Sequence, residues 1–198
     1  MQPTTEILVL CGAAGVGKST TAYEVSHQLG RADVPHALLD TDQLDQVHPW
    51  PPPGLAPSEL SRRNLAAVWA NLAGVGHTRL ILTGVFVALE RELAWIADAV
   101  PDAGVTPVRL TADVPTLERR VRRREIGSGA ADQLARTARQ HAALARPEPP
   151  GTTVIDTTGR SVVSVASEVI GVWLGGGVGQ DGGAGRGGGD EWFGGAVP

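Results

Sequence analysis

The sequence predicts an α/β fold in which a parallel sheet of five strands lies between layers of helices. Short apolar runs recur along the chain and alternate with segments whose apolar residues follow a helical period. A short, continuous apolar run beside glycine is typical of a strand that is buried on both faces, as in parallel sheets. At 198 residues, 42% of them hydrophobic, the chain is long enough for one domain with its own core.

The predicted elements follow one another in strict alternation. The five strands are the apolar runs at 6–11, 36–40, 79–87, 106–112 and 152–158. The first helix is predicted over about residues 17–29, with Gly30 as its stop, and the others are marked by apolar periodicity over 60–72, 89–100 and 162–173. This order implies right-handed crossover connections and a ligand site at the carboxyl ends of the strands.

Two segments do not fit the alternation. Residues 46–57 are too rich in proline for a helix or a central strand, so we expect an extended loop. Residues 175–198 are dominated by glycine, and we predict a disordered tail because few side chains are present to offset the entropy of ordering. Trp192 and Phe193 within this tail suggest two interpretations, an idle terminus or a docking segment for a partner protein.

Composition narrows the classes of partner. The net charge of -4 and the pI near 5.7 give no overall positive field, so we expect neither nucleic acid nor a membrane surface as a partner. No apolar run approaches the roughly 20 residues that span a bilayer. The single cysteine, Cys11, lies in an apolar run, which indicates a buried thiol in a reducing compartment and hence a cytoplasmic location.

The most informative motif is a glycine-rich turn between the first strand and the first helix. Gly12, Gly17, Lys18 and Ser19 match the pattern G-x-x-x-x-G-K-[ST], and the strand before it and the helix after it supply the context that this pattern requires. Lys18 is the only lysine, against 16 arginines, which suggests a site that needs a compact ammonium group. The nucleotide-binding residues predicted in this loop are Gly12, Ala13, Ala14, Gly15, Val16, Gly17, Lys18, Ser19 and Thr20.

Two carboxylates after the second strand suggest what is done with the bound phosphates. The segment "LLDTDQL" places Asp40 and Asp42 two residues apart, so that both can face one side of an extended chain. A GTPase base-reading element would need a second lysine, and the third strand ends without the acid that a motor ATPase would use. The alternative interpretation is a pair of aspartates that form a turn and cap a helix.

These motifs together resemble the small-molecule P-loop kinases, such as the shikimate, gluconate and adenylylsulfate kinases and chloramphenicol phosphotransferase. The resemblance covers about residues 5–173 and implies a P-loop NTPase three-layer sandwich that binds ATP and Mg²⁺. It implies that Ser19 ligates Mg²⁺, that Asp40 orients magnesium-bound water and that Asp42 accepts the proton of the acceptor hydroxyl, although the two aspartates are open to exchange of roles. The implied domain spans 1–174.

An arginine-rich segment, "TLERRVRRREIGSG", is similar to the lid of adenylate-kinase-like enzymes, placed here at about 116–146. Arg120 and Arg124 share one helical face and are the residues that this resemblance implies at the transferring phosphoryl group. Gly127 and Gly129 would supply the hinge. The alternative is a solvated charged face.

Two further sets of residues are candidates for ligand contacts. Gly159 and Arg160 lie in the loop after the fifth strand, where members of this group hold the adenine. The acceptor candidates are Arg62, Arg63, Asn64 and Thr83. Arg62, Arg63 and Asn64 could bind a polar or anionic acceptor, but such residues at a helix start are more often surface residues, so both interpretations remain open.

The sequence therefore predicts an ATP-dependent phosphotransferase that moves the γ-phosphoryl group to a hydroxyl of a small molecule. Two other interpretations are a zeta-toxin-like kinase of a nucleotide-sugar and a nucleotide-binding regulatory ATPase whose tail docks on a partner. The acceptor, the preference for ATP over GTP and the oligomeric state are left open by the sequence.

Overall fold

A five-stranded parallel sheet forms the centre of the computed structural model, which describes residues 5–124, 130–144 and 148–175. The strands are β1 (Thr5–Cys11), β2 (Ala37–Asp40), β3 (Arg79–Gly84), β4 (Ala103–Thr111) and β5 (Thr153–Asp156). The helices are α1 (Lys18–Arg31), α2 (Glu59–Gly74), α3 (Leu89–Ala99), α4 (Val114–Arg124), α5 (Ala130–Ala143) and α6 (Val162–Leu174). The prediction of a parallel sheet with helices between its strands is confirmed, except that two helices, α4 and α5, follow one another between β4 and β5.

The strand order is β2-β3-β1-β4-β5, with β1 at the centre. At one edge of the sheet the strand ends are in register, because Cys11 pairs with Gly84 and Thr111 pairs with Asp156. The loops that follow β1, β2, β3 and β5 therefore leave the sheet on the same side. This is the edge at which open parallel sheets bind their ligands.

Two apolar clusters cover the two faces of the sheet. On one face Leu8, Leu10 and Val108 pack with residues of α1 and α6 such as Val25 and Val169. On the other face β1 and β3 pack with α2 and α3. Alternate residues of β1 belong to opposite clusters, as the two-residue period of a strand requires. The three-layer arrangement that the sequence predicts is confirmed.

The structure corrects several predicted boundaries. Helix α1 does not stop at Gly30 but continues to Arg31, and the chain turns at Asp33, which adopts a left-handed φ of 55°. Aspartate tolerates this conformation because its short polar side chain can bond locally. The third strand ends at Gly84 instead of residue 87, since Phe86 has a φ of 47° and turns the chain away from the sheet.

Strands β4 and β5 also differ from their predicted ranges. Strand β4 begins at Ala103, three residues earlier than predicted, because pairing with Thr5 of β1 extends the ladder through the polar start of the segment. Strand β5 ends at Asp156, whose carboxylate accepts the backbone N–H of Thr158 and so closes a turn. The proline-rich segment 46–57 contains no helix or strand, as predicted.

Cys11 is fully buried at the end of β1, as the sequence predicted. Burial raises the pKa of the Cys11 thiol to about 11, since the thiolate would lose its hydration. The thiolate is the reactive form, so we expect iodoacetamide at pH 8.5 to leave Cys11 unmodified in the native protein. Mass spectrometry should show modification once urea unfolds the chain. Labelling of the native protein at the rate of the unfolded chain would contradict this expectation.

Candidate active site

The glycine-rich turn of residues 12–17, the predicted phosphate loop, leaves β1 at Gly12 and enters α1 at Lys18. Its glycines adopt backbone conformations that other residues avoid. Gly12, Gly15 and Gly17 have φ values of 142°, 87° and 99°. A Cβ atom at Gly12 would lie 2.4 Å from the carbonyl oxygen of Leu110, in the neighbouring strand. Glycine at position 12 is therefore required both by its conformation and by the close approach of β4.

Lys18 lies in the first turn of α1 and reaches back along the loop. Its Nζ donates a hydrogen bond to the carbonyl oxygen of Ala13 at 3.1 Å. The N-cap residue Gly17 contributes no side-chain hydrogen bond, so the backbone N–H groups at the start of α1 are not capped by a side chain. Ser19 and Thr20, the next two residues, are exposed. An uncapped helix N-terminus beside an ammonium group is a site suited to an anion.

Asp40 is the last residue of β2, and Asp42 lies in the turn that follows, at the same edge of the sheet. Asp40 caps the short 3-10 turn of Thr41–Gln43, because its Oδ1 accepts the backbone N–H of Asp42 at 3.1 Å. The capping interpretation is thus correct for Asp40. The same bond ties the backbone of Asp42 to Asp40, and both residues border the cavity over the phosphate loop. Asp40 can therefore cap the turn and also face a ligand in the cavity.

The phosphate loop and the two aspartates surround one cavity of about 520 Å³. Its lining consists of Ala14, Gly15, Val16, Gly17, Lys18, Ser19, Thr20, Thr21, Asp40, Asp42, Gly84, Val85, Arg120, Gln140, Thr157, Arg160, Val162 and Val165. The cavity combines donors from the loop and α1, two carboxylates and an apolar edge at the start of α6. A ligand with both a polyanionic and a flat apolar part matches this lining.

Arg120 connects the phosphate loop to the turn after β5. Its Nη1 donates to the carbonyl oxygen of Val16 at 3.1 Å and to Thr157 Oγ1 at 2.9 Å. Its Nη2 donates to the carbonyl oxygen of Thr157 at 3.0 Å. The guanidinium therefore braces two loops of the site while lining the cavity. Arg124 ends α4, and its side chain lies outside the described residues.

Helix α4, the first part of the predicted lid, is anchored in the core. Thr116, Leu117 and Val121 are at most 4% exposed. Arg122 and Arg123 are exposed, as expected of a solvated face. The predicted hinge glycines Gly127 and Gly129 lie outside the described residues, as do Trp192 and Phe193.

Two carboxylates shape the turns that follow β4 and β5. The Thr116 hydroxyl and backbone N–H lower the pKa of Asp113, the residue before α4. The backbone N–H of Thr158, followed by its hydroxyl, lowers the pKa of Asp156. The Thr158 hydroxyl also accepts the backbone N–H of Asp113 at 2.9 Å, so these bonds form one network that links the two turns.

The loop after β5 carries Gly159 and Arg160 to the cavity edge. Gly159 has a φ of 67°, a left-handed turn conformation. Arg160 lines the cavity and forms an ion pair with Glu168 of α6 at 2.6 Å, and its Nη2 donates to Ser164 Oγ. These bonds hold the guanidinium in place at the edge that Val162 and Val165 make apolar.

The predicted acceptor residues are not gathered at this cavity. Arg62 and Arg63 both bind Glu59, at 2.9 and 2.6 Å, and Asn64 donates to the carbonyl oxygen of Leu44. Thr83 is only 2% exposed. Arg62, Arg63 and Asn64 thus have structural partners, and none of the four residues lines the space over the phosphate loop.

The sequence interpretation missed seven residues of the lining: Thr21, Gly84, Val85, Gln140, Thr157, Val162 and Val165. Val162 and Val165 were assigned to a helical face but not to a site. Thr157 follows directly after β5. Its position at the carboxyl end of a strand was the sequence signal that could have identified it as a site residue. Nothing in the sequence marks Gln140 as a site residue, since it reaches the phosphate loop from helix α5 and bonds to Ala14, 126 residues earlier in the chain.

No family model matches this chain, and no curated protein matches it. Solved structures do match it. The tunicamycin resistance protein of Deinococcus radiodurans is 19% identical, with a TM-score of 0.57 over 84% of this chain and 94% of that chain. A gluconokinase from Sinorhizobium meliloti 1021 is 16% identical, with a TM-score of 0.55 over 87% of this chain and 93% of that chain.

The APS kinase of Mycobacterium tuberculosis, solved in complex with AMPPNP and APS, is 25% identical to this chain. Its TM-score is 0.54, over 86% of this chain and 98% of that chain. The fold is therefore that of small-molecule P-loop kinases, and the predicted resemblance is confirmed at the level of the fold. Among the described residues, no helix is long and apolar enough to cross a membrane.

Proposed function

We propose that this chain is a kinase that transfers the γ-phosphoryl group of ATP to a hydroxyl group of a small molecule. One observation carries this proposal: the phosphate loop with Lys18 and the carboxylates Asp40 and Asp42 border a single cavity. The loop and Lys18 are suited to phosphates, whereas the carboxylates are suited to a hydroxyl and a hard cation. A protein that only bound nucleotide would have no need of an acid on the acceptor side.

The residues present fit a magnesium ion. The Ser19 hydroxyl and the Asp40 carboxylate are hard oxygen ligands that line the same cavity. In the part of the chain that the structure describes, no group of three or more His, Cys, Asp or Glu residues could hold a metal alone. This agrees with Mg²⁺, which is usually held by one or two carboxylates together with water and substrate phosphates. When bound, Mg²⁺ would offset negative charge on the phosphates.

The remaining contributions come from the chain itself. The loop N–H groups and the N-terminus of α1 bind and orient the phosphates. Lys18 stabilises the charge that develops on the transferring group, and Asp42 aligns the acceptor hydroxyl and accepts its proton. Arg120 positions the loop through its bonds to Val16 and Thr157. The adenine would lie against Val162, Val165 and the guanidinium of Arg160, at the apolar edge of the cavity.

The decisive experiment measures Mg²⁺-dependent release of ADP from ATP, with and without pools of small metabolites. One pool should raise turnover well above the hydrolysis seen with ATP alone, and fractionation of that pool would identify the acceptor. Binding of ATP with no acceleration by any pool would contradict the kinase proposal.

Lys18→Ala should weaken ATP binding by roughly 10- to 100-fold, because the variant lacks one charge-assisted hydrogen bond to the phosphates. Isothermal titration calorimetry measures this change. Arg31→Ala is a matched control, since Arg31 is an exposed cation at the other end of the same helix. Equal affinities of wild type and Lys18→Ala would rule out the assigned role of the lysine.

A further inference from the structure

Gln140 connects helix α5 to the phosphate loop. Its Oε1 accepts a hydrogen bond from the backbone N–H of Ala14 at 3.0 Å, and the side chain lines the cavity over the loop. Gln140 is partly buried and lies in the last turn of α5. A side-chain oxygen from α5 is thus bonded to a loop whose N–H groups are suited to anions.

The position of Ala14 indicates which part of a ligand would meet this glutamine. Lys18 Nζ contacts the carbonyl oxygen of Ala13, the residue before Ala14. Because the lysine of this motif reaches the β- and γ-phosphates, Ala13 and Ala14 belong to the end of the cavity that faces the terminal phosphates. The amide oxygen of Gln140 therefore lies at a donor that a terminal phosphate oxygen would use.

The amide oxygen of Gln140 and a phosphate oxygen differ in strength as acceptors for the N–H of Ala14. A carboxamide oxygen is neutral, whereas a phosphate oxygen is charged and forms hydrogen bonds roughly twice as strong. A phosphate can therefore displace Gln140 from Ala14, at the cost of one ordinary hydrogen bond. The net contribution of such a bond is about 1 kcal/mol.

We propose that Gln140 is an internal competitor for the phosphate loop. Its amide oxygen holds the Ala14 N–H while the loop is empty, and a polyphosphate must displace it to bind. Displacement releases this contact between α5 and the loop, so phosphate binding is coupled to the position of α5. The inference rests on the proposed function in assuming that this loop binds the phosphates of a nucleotide.

The test measures dissociation constants for ADP and for inorganic tripolyphosphate in three variants. Gln140→Ala should bind both about fivefold more tightly than wild type, because no internal acceptor has to be displaced. Gln140→Glu should bind both at least about tenfold more weakly, since its carboxylate keeps the bond to Ala14 and repels phosphate. Arg139→Ala, an exposed neighbour on α5, should bind as wild type does.

The contact between Gln140 and Ala14 can also be tested in the absence of ligand. In nucleotide-free protein, Gln140→Ala should shift the amide resonance of Ala14 in a ¹⁵N correlation spectrum, and Arg139→Ala should not. Unchanged or weaker binding of tripolyphosphate by Gln140→Ala would overturn the inference. If no variant binds ADP while Gln140→Ala still binds tripolyphosphate more tightly, the nucleotide function fails and the competition stands.

Discussion

Asp42→Asn should lower the turnover number for phosphoryl transfer by on the order of 10²–10⁴-fold, the range that general base catalysis contributes. The variant keeps the shape of the side chain but cannot accept the proton of the acceptor hydroxyl. Binding of ATP should change little, because Asp42 faces the acceptor and not the phosphate-binding donors in the proposed arrangement. Turnover in saturating ATP and acceptor, together with the ATP dissociation constant, measures the two effects separately.

Asp40→Asn should give a different result. Asparagine is as good a capping residue as aspartate, so the bond from Asp40 Oδ1 to the Asp42 N–H survives and only the negative charge is lost. The variant should therefore require more Mg²⁺ for half-maximal turnover while its melting temperature stays near that of wild type. The reverse pattern, a higher Mg²⁺ requirement in Asp42→Asn, would exchange the roles of the two carboxylates.

A control separates loss of the carboxylate from general damage. Asp33→Asn changes an exposed aspartate whose left-handed conformation also suits asparagine. This variant should retain wild-type turnover. Wild-type turnover in both Asp40→Asn and Asp42→Asn would remove the acid chemistry from the proposed mechanism and leave Asp40 with its capping role alone.

Most of the fold could be predicted because its signals are local. The strands are continuous apolar runs, and the phosphate loop is a contiguous motif between a strand and a helix. The errors in the strand boundaries arise where a distant pairing partner, or a backbone conformation that the residue type does not suggest, determines where the strand begins or ends. Strand β4 starts early because Thr5 pairs with Ala103, almost a hundred residues away. The third strand stops early because Phe86 takes a left-handed conformation that its residue type does not suggest.

The site was predictable to the extent that it follows strand ends. The glycine-rich motif points to Lys18 and the end of the second strand to Asp40 and Asp42, and all three residues line one cavity. The bonds from Arg120 to Thr157 and from Gln140 to Ala14 were not predictable, since they join residues 37 and 126 positions apart. No periodicity or motif encodes such contacts. They follow from the packing of α4 and α5 near the phosphate loop.

Arg109 shows how a long-range partner determines the role of a residue. It interrupts the apolar run of β4 and is only 3% exposed. Its Nε lies 2.5 Å from Oε1 of Glu148, which precedes β5 and is 18% exposed. Arg109 and Glu148 therefore form an ion pair, but their atoms are not aligned for a hydrogen bond. Its Nη2 lies 3.5 Å from the carbonyl oxygen of Phe86. The buried guanidinium thus depends on one carboxylate for its charge balance.

Glu148→Gln should lower the free energy of unfolding by about 3 kcal/mol, because it leaves the charge of Arg109 buried without a counter-ion. The amide keeps the size of the carboxylate, so little of the loss would come from altered packing. Urea denaturation followed by circular dichroism measures the change. Glu6→Gln is the matched control, since Glu6 pairs with Arg79 where both side chains are about one third exposed. It should cost less than about 1 kcal/mol.

A double variant separates the missing counter-ion from the missing contact. Arg109→Met combined with Glu148→Leu removes both charges and replaces them with apolar groups that can fill the space between β4 and the segment before β5. If buried charge is the cause, the double variant should recover most of the stability that Glu148→Gln loses, since apolar replacement of a whole buried pair is often neutral or stabilising. If the double variant is less stable than Glu148→Gln, the ion pair itself contributes net stability and the desolvation argument is wrong. A double-mutant cycle that adds the single variants Arg109→Met and Glu148→Leu gives the coupling energy of the pair directly.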